Sequence, residues 1–183
     1  MTVVASGKAD IYRSTLPADI MVRENLPDKV NVVLAGSGGI SARSLVTLTK
    51  SLHLLERCVL DADLLQTEIL GEIAPRGAIL TPHSREFERM FGPMTTSPEA
   101  TVLKASQTTG STIVHKSPKT LIASPDGRVA INNHASPYLA KAGTGDVLAG
   151  LITGLVAQDM PDFEAACAAV WIHGEAGSRF GPG

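Results

Sequence analysis

Short apolar segments alternate with helical repeats along most of the chain, and this alternation constrains the fold more than any other feature. Apolar runs bounded by polar residues or glycines predict buried strands, at Asn31–Ala35, Cys58–Leu60, Ala78–Leu80 and Thr112–His115. Apolar residues at helical spacing predict helices, over Ser41–Leu54, from near Ser84, and over Pro98–Thr108, Asp146–Ala157 and Asp162–Gly177. A hairpin is predicted around Pro125-Asp126-Gly127, between strands at Lys119–Ser124 and Val129–Asn132.

Strands that alternate with helices form an α/β domain, in which a mostly parallel central sheet is covered by helices on both faces. We expect residues 1–183 to form a single domain of this class, with Asp162 as the N-cap of its last helix. Ligands bind such sheets at the carboxyl ends of the strands. Polar clusters follow three of the predicted strands, at Gly36–Gly39, Asp61–Asp63 and Thr81–Glu86. The pattern therefore predicts one cleft along one edge of the sheet.

Composition excludes several classes of function. The chain has 183 residues, of which 44% are hydrophobic and 19% charged, with a net charge of −2 and no clustered lysines or arginines. A nucleic-acid-binding surface is therefore not expected. The N-terminus has no signal-peptide pattern, and no apolar run approaches the roughly 20 residues of a membrane span. We expect a cytoplasmic protein without membrane contact, in which Cys58 and Cys167 are buried thiols.

The strongest chemical signal is the segment Ala142–Asp146 (AGTGD), which leads directly into an apolar helix. Its two glycines allow backbone N–H groups to turn inward at the positive end of that helix. Such an arrangement binds phosphate. Asp146 lies at the mouth of this site, where a carboxylate can accept a proton from a hydroxyl that attacks phosphorus. The structural alternative is that Asp146 only caps the helix, which is worth about 1 kcal/mol.

The spacing of Asp146, Gly150 and Gly154 leaves one face of this helix nearly bare. Glycine costs about 1 kcal/mol in a helix interior relative to alanine. We therefore expect a neighbouring helix or a ligand-bearing loop to approach that face closely.

Two further segments carry candidate ligand-binding side chains. Lys116 and Lys119 lie between a strand and the hairpin, where they either neutralise phosphate or belong to a solvated turn. His83 can bind a polar substrate, and Glu86 can hold Mg²⁺ through water. Alternatively, these two residues belong to an ordinary helix start with Ser84 as the N-cap.

Other polar residues remain open. Asp61 and Asp63 suit a metal, a ribose hydroxyl or a structural cap equally well. His53, His134 and His173 have no partners at a metal-ligand spacing, so we expect structural or exposed roles for them.

Four motifs in fixed order resemble the bacterial ADP-dependent NAD(P)H-hydrate dehydratases of the ribokinase-like superfamily. They are VLDAD (Val59–Asp63), TPHSRE (Thr81–Glu86), VHKSPKTLI (Val114–Ile122) and KAGTGDVLAG (Lys141–Gly150). The resemblance extends from about Asn31 to Gly177 and implies a ribokinase-like fold.

The resemblance also implies a reaction. Hydrated NADH or NADPH is phosphorylated on its added hydroxyl by ADP, and phosphate then leaves to restore the ring, with AMP as the other product. Mg²⁺ is required, and the family commonly forms homo-tetramers. Asp146 would contact the hydroxyl and act as the base, while Gly38 and His83 would contact the hydrated cofactor. The nucleotide would be held by two short segments, namely Lys116, Ser117, Pro118, Lys119 and Thr120, and Gly143, Thr144 and Gly145.

The chain departs from the family pattern in three ways. The loop Gly36–Gly39 (GSGG) stands where the family has a sequence close to GPGLG, and Ser84 and Arg85 replace the proline and glycine of TPHPGE. The family domain also normally has further strands and helices before this chain starts and continues past Gly183. Since the N-terminal TVVASG resembles an internal strand, we expect a domain that is truncated on its N-terminal side and also at its C-terminus, without one wall of the substrate site.

Three other functions remain open. A kinase for hydroxymethylpyrimidine or hydroxyethylthiazole shares the GTGD segment, and a truncated domain could bind nucleotides without catalysis. An α/β-hydrolase would use Ser37, Asp146 and His173 in that order. Ala35 breaks the GxSxG motif of hydrolases, however, and His173 lies within a predicted helix.

Overall fold

The computed structural model describes residues 1–4, 8–25, 27, 29–37, 39, 45–46, 57–67 and 78–182. In chain order its elements are β1 (Thr2–Val4), α1 (Ala9–Thr15), β2 (Met21–Arg23), β3 (Val33–Ala35), β4 (Cys58–Leu60), β5 (Ile79–Leu80), α2 (Ser84–Phe91), α3 (Pro98–Thr109), β6 (Thr112–His115), β7 (Thr120–Ala123), β8 (Val129–Asn132), α4 (Thr144–Val156) and α5 (Asp162–Phe180). Short 3₁₀ turns lie at Ala62–Leu64 and Pro137–Leu139.

The main sheet contains β3 to β8 side by side in chain order. Strands β3 to β6 pair in parallel, whereas β7 and β8 form the predicted antiparallel hairpin. The sheet is therefore mostly parallel, and the carboxyl ends of its four parallel strands lie on one edge. Most of the helix predicted over Ser41–Leu54 lies outside the described residues, although Leu45 and Val46 are helical.

One face of the sheet packs against α2 and α3. Leu60 and Leu80 point to this side, where they join Phe87 of α2 and Val102 of α3 in one buried cluster. All four side chains are fully buried. Burial of each contributes about 1.5–3 kcal/mol, so this cluster fixes the two helices on the sheet.

The opposite face packs against α4 and α5. The alternate strand residues Val59 and Ile79 point this way and contact a second buried cluster that includes Ile152 of α4 and Ala166 of α5. Successive side chains of a strand point to opposite faces, which explains why neighbouring residues belong to different clusters. The prediction of helices on both faces is confirmed.

The junction between α4 and α5 differs from the sequence prediction at one residue. Pro161 is the N-cap of α5, and Asp162 lies in the first turn, so the prediction that Asp162 caps the helix is wrong. Its carboxylate instead accepts a hydrogen bond from Arg57 Nε at 3.1 Å. Arg57 also donates to the carbonyl of Val156 at 2.9 Å and to that of Met160. Arg57 therefore ties the end of α4 and the start of α5 to the beginning of β4.

The N-terminal elements form a separate pair of strands. β1 and β2 pair in parallel and are joined through α1. The sequence indicated a strand at the N-terminus but not α1 or β2, which are too short to produce a clear repeat. Among the described helices, none is long and apolar enough to cross a membrane.

Both cysteines are free thiols in the described part of the chain. Cys58 is buried in β4, and Cys167 of α5 is half-buried. Burial and the charge of Asp162 raise the pKa of Cys58 to about 12. Cys58 therefore remains protonated and packs as a small apolar residue, as predicted.

Candidate active site

Polar residues at the carboxyl edge of the sheet lie side by side. The amide of Asp61 donates to the carbonyl of Ala35 at 3.0 Å, which extends the pairing of β3 and β4 by one residue. Likewise, the amide of Lys116 donates to the carbonyl of Pro82 at 2.8 Å. The pairing therefore brings Asp61 and Lys116, with Thr81 between them in strand order, to the edge that the sequence predicted.

Asp61 is the centre of a buried polar cluster at this edge, with only 3% of its side chain exposed. Its Oδ1 accepts from Thr81 Oγ1 at 2.6 Å and from Lys116 Nζ at 2.9 Å, and its Oδ2 accepts from Ser37 Oγ at 3.1 Å. Burial raises the pKa of Asp61, but the Thr81 hydrogen bond and the Lys116 charge outweigh it and lower that pKa below its ordinary value. The structure thus shows Asp61 in an internal ion pair, a role that the sequence analysis did not consider, and its side chain makes no capping hydrogen bond to the 3₁₀ turn that follows.

Gly36 allows the loop after β3 to run against this cluster. Its φ is +103°, and a Cβ at this position would lie 1.8 Å from the backbone oxygen of Asp61. No other residue type fits without moving the backbone. The loop continues past Asp63, whose Oδ2 lies 3.4 Å from where a Cβ of Gly39 would stand. The predicted substrate contact at Gly38 lies outside the described residues.

The predicted phosphate loop leads into α4 as the sequence indicated. Gly143 is the N-cap with φ +89°, and it offers no capping side chain. The Thr144 hydroxyl fixes the loop by donating to the carbonyls of Leu139 at 2.7 Å and Lys141 at 2.9 Å. Asp146 is the third residue of the helix, so the alternative in which it is the N-cap is wrong.

The first turn of α4 presents free backbone donors. Among the described residues, no acceptor contacts the backbone N–H of Gly145 or Asp146. The first N–H groups of a helix need external acceptors, and the helix dipole makes this end positive. Phosphate oxygens satisfy both requirements.

Lys116 connects the phosphate loop to the buried cluster. A Cβ at Gly145 would lie 3.4 Å from Lys116 Nζ, so the ammonium group lies directly beside the first turn of α4. The same Nζ donates to Asp61. The edge of the sheet therefore brings a lysine and a helix N-terminus to one point, which is the composition of a phosphate-binding site.

The segment after Lys116 is a tight turn. The Ser117 hydroxyl donates to the carbonyl of Lys119 at 2.6 Å, and the Thr120 hydroxyl donates to the carbonyl of Ser117 at 3.0 Å. Pro118 and Lys119 are exposed. These bonds fix the backbone beside Lys116, while phosphate binding by Lys119 stays a prediction.

Helix α5 supports the segment that precedes the phosphate loop, a contact that the sequence analysis missed. A Cβ at Gly174 would lie 1.8 Å from the carbonyl oxygen of His134, and a Cβ at Gly177 would lie 2.6 Å from Leu139 Cγ. Two glycines three residues apart in a helix are the signal that could have indicated this close packing.

Two of the histidines have structural surroundings, as predicted. His134 Nε2 lies 2.8 Å from Glu175 Oε2, and its ring stacks on Trp171. Burial lowers the pKa of His173, while a contact with the backbone of Thr144 opposes this shift. His53 lies outside the described residues.

The contacts that a Ser37–His173–Asp146 hydrolase triad would need are not found among the described residues. The Ser37 hydroxyl donates to Asp61, and in the described part of the chain it contacts no histidine. His173 lies within α5, as the sequence indicated, and contacts the start of α4. Ser37 is therefore part of the buried cluster.

A cleft of about 290 Å³ opens beside the cluster. It is lined by Ala62, Asp63, Gln66, His83, Arg85, Glu86 and Arg89. Its wall continues the sheet edge, since His83 forms a parallel bridge with Lys116.

His83 and Glu86 form a capping box at the start of α2. His83 Nδ1 accepts from the amide of Glu86 at 3.2 Å, and Glu86 Oε2 accepts from the amide of His83 at 2.8 Å. The N-cap is therefore His83, and the alternative with Ser84 as the N-cap is wrong. Because Nδ1 accepts a hydrogen bond, Nε2 carries the proton of the neutral ring. In the half-exposed His83 this Nε2 lies 3.4 Å from Glu86 Oε1, so a ligand acceptor would compete with that carboxylate for the proton.

His115 is a buried residue that the sequence analysis did not select. Its ring packs edge-on against Phe87, and its Nε2 lies 3.4 Å from Ser84 Oγ. Burial lowers its pKa, while the charge of Glu88 opposes this, so the ring stays neutral near pH 7. Within the described residues its Nδ1 has no hydrogen-bond partner.

The sequence pattern predicts that a neighbouring element approaches the bare face of α4 closely. Nothing in the described structure comes within 4 Å of a Cβ built at Gly150 or Gly154, so the expected close approach is not found there. Asp146 beside them is exposed, and no described residue contacts its carboxylate.

The described residues contain no group of three or more histidines, cysteines or carboxylates that could hold a metal alone. Mg²⁺ at a nucleotide needs fewer, since it keeps waters and phosphate oxygens as ligands.

The fold defines this protein as a ribokinase-like α/β protein. A ribokinase-like superfamily protein from Enterococcus faecalis superposes with a TM-score of 0.80 at 26% identity, covering 98% of this chain and 68% of the other. The ADP/ATP-dependent NAD(P)H-hydrate dehydratase of Bacillus subtilis, co-crystallised with ATP and Mg²⁺, gives a TM-score of 0.83 at 25% identity, covering 98% and 69%. A pyridoxal kinase from Lactobacillus plantarum, at 21% identity and a TM-score of 0.61, shares the fold.

Sequence comparison specifies the family further. The NAD(P)H-hydrate dehydratase (carbohydrate kinase) family matches residues 7–181, and the chain belongs to this family. It is 41% identical over 160 residues to the ADP-dependent (S)-NAD(P)H-hydrate dehydratase of Neisseria meningitidis, which covers 80% of this chain and 54% of that protein. A bifunctional NAD(P)H-hydrate repair enzyme from Methanopyrus kandleri is 36% identical over 97% of this chain and 38% of its own length. The chain thus spans about half the length of the Neisseria relative.

Proposed function

We propose that this protein repairs hydrated NADH and NADPH by ADP-dependent dehydration, with release of AMP and phosphate. The observation that carries the proposal is the position of Lys116 Nζ beside Gly145, which joins a cation to the free N–H groups of α4. Relatives that match most of this chain carry the same activity in their names.

The reaction has two steps. The hydroxyl on the hydrated nicotinamide ring attacks the β-phosphorus of ADP, and AMP leaves with the bridging oxygen. The carbon–oxygen bond to the new phosphate then breaks, phosphate leaves, and loss of a proton restores the ring double bond. Asp146 accepts the hydroxyl proton in the first step, since its exposed carboxylate stands in the first turn of α4, where the phosphates bind.

The nucleotide is held by the two segments that meet at Lys116. Its phosphates accept hydrogen bonds from the N-terminus of α4, where the N–H groups of Gly145 and Asp146 have no acceptor among the described residues, and the Lys116 ammonium neutralises their charge. Gly143 and Thr144 complete this segment. The turn at 117–120 supports the nucleotide from the neighbouring strand end.

Mg²⁺ fits the cleft through Glu86. This carboxylate lines the cleft, and the capping box fixes its orientation. Its Oε2 already accepts from the His83 amide and its Oε1 lies 3.4 Å from His83 Nε2, so it would meet the metal through a water at its remaining exposed surface. Mg²⁺ held there would neutralise phosphate charge during the transfer.

The hydrated cofactor occupies the cleft beside the cluster. His83 donates from Nε2 to its polar groups, and Gly38 is the second residue that the family resemblance assigns to the cofactor. In this proposal residues 1–183 form one domain, which assembles as a homo-tetramer in the cytoplasm.

The direct test is turnover by the purified protein. Hydrated NADH is mixed with Mg²⁺ and either ADP or ATP, and the near-ultraviolet absorbance of reduced nicotinamide is followed together with AMP and phosphate. We expect NADH, AMP and phosphate in equal amounts with ADP. ADP binding without products would instead indicate a nucleotide-binding protein. ATP-dependent phosphorylation of hydroxymethylpyrimidine or hydroxyethylthiazole would indicate the kinase.

A further inference from the structure

We propose that Asp61 is a positioning residue of the nucleotide site, which holds the Lys116 ammonium at the N-terminus of α4. The inference rests on the proposed function only in taking ADP as the ligand. It gives a role to a buried carboxylate that the reaction itself does not use.

The Asp61 carboxylate is fixed from two sides before it meets Lys116. Thr81, at the end of β5, donates to its Oδ1, and Ser37, in the loop after β3, donates to its Oδ2. Asp61 itself follows β4. Since three strand ends define its position, the carboxylate is a rigid anchor, and its burial prevents it from moving to solvent.

Lys116 needs such an anchor. A lysine side chain carries its charge at the end of a flexible four-carbon stem, so it loses considerable rotamer freedom when it is ordered. The Asp61 contact at 2.9 Å uses one of the three N–H groups of Nζ and leaves two for phosphate. Ordering the ammonium before the nucleotide arrives lowers the entropic cost of binding.

The missing side chain at Gly145 completes this arrangement. A Cβ there would lie 3.4 Å from Nζ, which is van der Waals contact, so Nζ lies directly against the backbone of Gly145. Nζ therefore lies between the buried carboxylate and the free N–H groups of α4. Asp61 would act on the phosphates only through Lys116, whose side chain is 21% exposed while that of Asp61 is 3% exposed.

A merely structural ion pair predicts a different outcome. Loss of either partner would then lower stability but leave the ADP affinity of the folded molecules unchanged. A positioning role predicts weaker ADP binding that depends on Lys116, with a raised KM for ADP and a smaller change in kcat.

The test is a double-mutant cycle on ADP affinity, measured by calorimetry with Mg²⁺ at a temperature where all variants are folded. We expect Asp61→Asn to weaken ADP binding about 10-fold, and Lys116→Met at least as much. In the Lys116→Met background, Asp61→Asn should add less than about 2-fold. Asp159→Asn and Lys104→Met serve as matched controls, because they make the same chemical changes at exposed residues outside the proposed site. Both control variants should bind ADP with wild-type affinity.

Two results would overturn the proposal: wild-type affinity in Asp61→Asn, or an equal loss in both backgrounds. If Asp61→Asn does not fold, Thr81→Val replaces it in the same cycle, with an expected loss of about 3-fold that also disappears in the Lys116→Met background. If the wild-type protein binds ADP but regenerates no NADH, the proposed function is contradicted. The double-mutant cycle still tests the role of Asp61, because it measures ADP affinity and not turnover.

Discussion

At the level of single residues, the site depends on close backbone approach and on one ion pair. Gly36 leaves room for the backbone of Asp61, which a Cβ would displace, and Lys116 Nζ lies directly beside Gly145. Two predictions concern these residues.

The first prediction concerns acid stability. The pKa of folded Asp61 is below its ordinary value of 3.8. A lowered folded pKa contributes stability above the unfolded pKa, and that contribution is lost as pH falls through the folded pKa. The difference in unfolding free energy between wild type and Asp61→Asn should therefore be constant above about pH 5 and shrink as the pH falls below it. A difference that does not change with pH, measured by urea unfolding, would show that the ionised form of Asp61 is not preferentially stabilised.

The second prediction concerns Gly36. Gly36→Ala should destabilise the protein by about 3 kcal/mol, because the new Cβ meets the Asp61 carbonyl and φ is positive. Gly127→Ala is the matched control, since Gly127 has nearly the same φ of +101° but nothing within 4 Å of its Cβ position. The control should cost about 1–2 kcal/mol. Equal losses in the two variants, measured by thermal or denaturant unfolding, would show that the loop does not press on Asp61.

At the level of elements, sequence patterns predicted the strands well and also the helix starts at Ser84, Pro98 and Asp162, whereas α4 begins at Thr144, two residues before the predicted Asp146. Strands Cys58–Leu60, Thr112–His115 and Val129–Asn132 have the predicted bounds, because buried or alternating apolar runs end sharply at polar residues. The N-caps at His83 and Pro161 were not predicted, since an N-cap depends on local backbone geometry that the sequence pattern does not give. Asp162, the predicted cap of α5, instead accepts a hydrogen bond from Arg57.

A third prediction compares two glycines in the last helices. Gly174→Ala should destabilise the protein by about 2–3 kcal/mol and weaken ADP binding, because its Cβ would displace the His134 carbonyl and the segment that leads to the phosphate loop. Gly154→Ala, with open space around its Cβ position, should stabilise α4 by about 1 kcal/mol. Destabilisation by Gly154→Ala would indicate that another surface covers that face after all.

At the level of the whole molecule, the order of strands determines which residues can meet. Because β3 to β6 are adjacent and parallel, residues that follow four separate strands lie along one edge. This convergence could be predicted from the sequence, as could a glycine segment leading into a helix at 141–150, although residues from Thr144 onward already belong to α4. The link between Asp61 and Lys116 could not, because they are 55 residues apart and no pattern encodes side-chain distance.

The central claim is that a base at the mouth of the phosphate loop acts on a hydroxyl of a hydrated nicotinamide. The most direct measurement compares wild type and Asp146→Asn in the regeneration of NADH from its hydrate with ADP and Mg²⁺, alongside calorimetric ADP binding. We expect turnover to fall by about 10²–10⁴-fold while ADP affinity stays within a few-fold of wild type, as removal of a general base predicts. Wild-type turnover by Asp146→Asn would contradict the account.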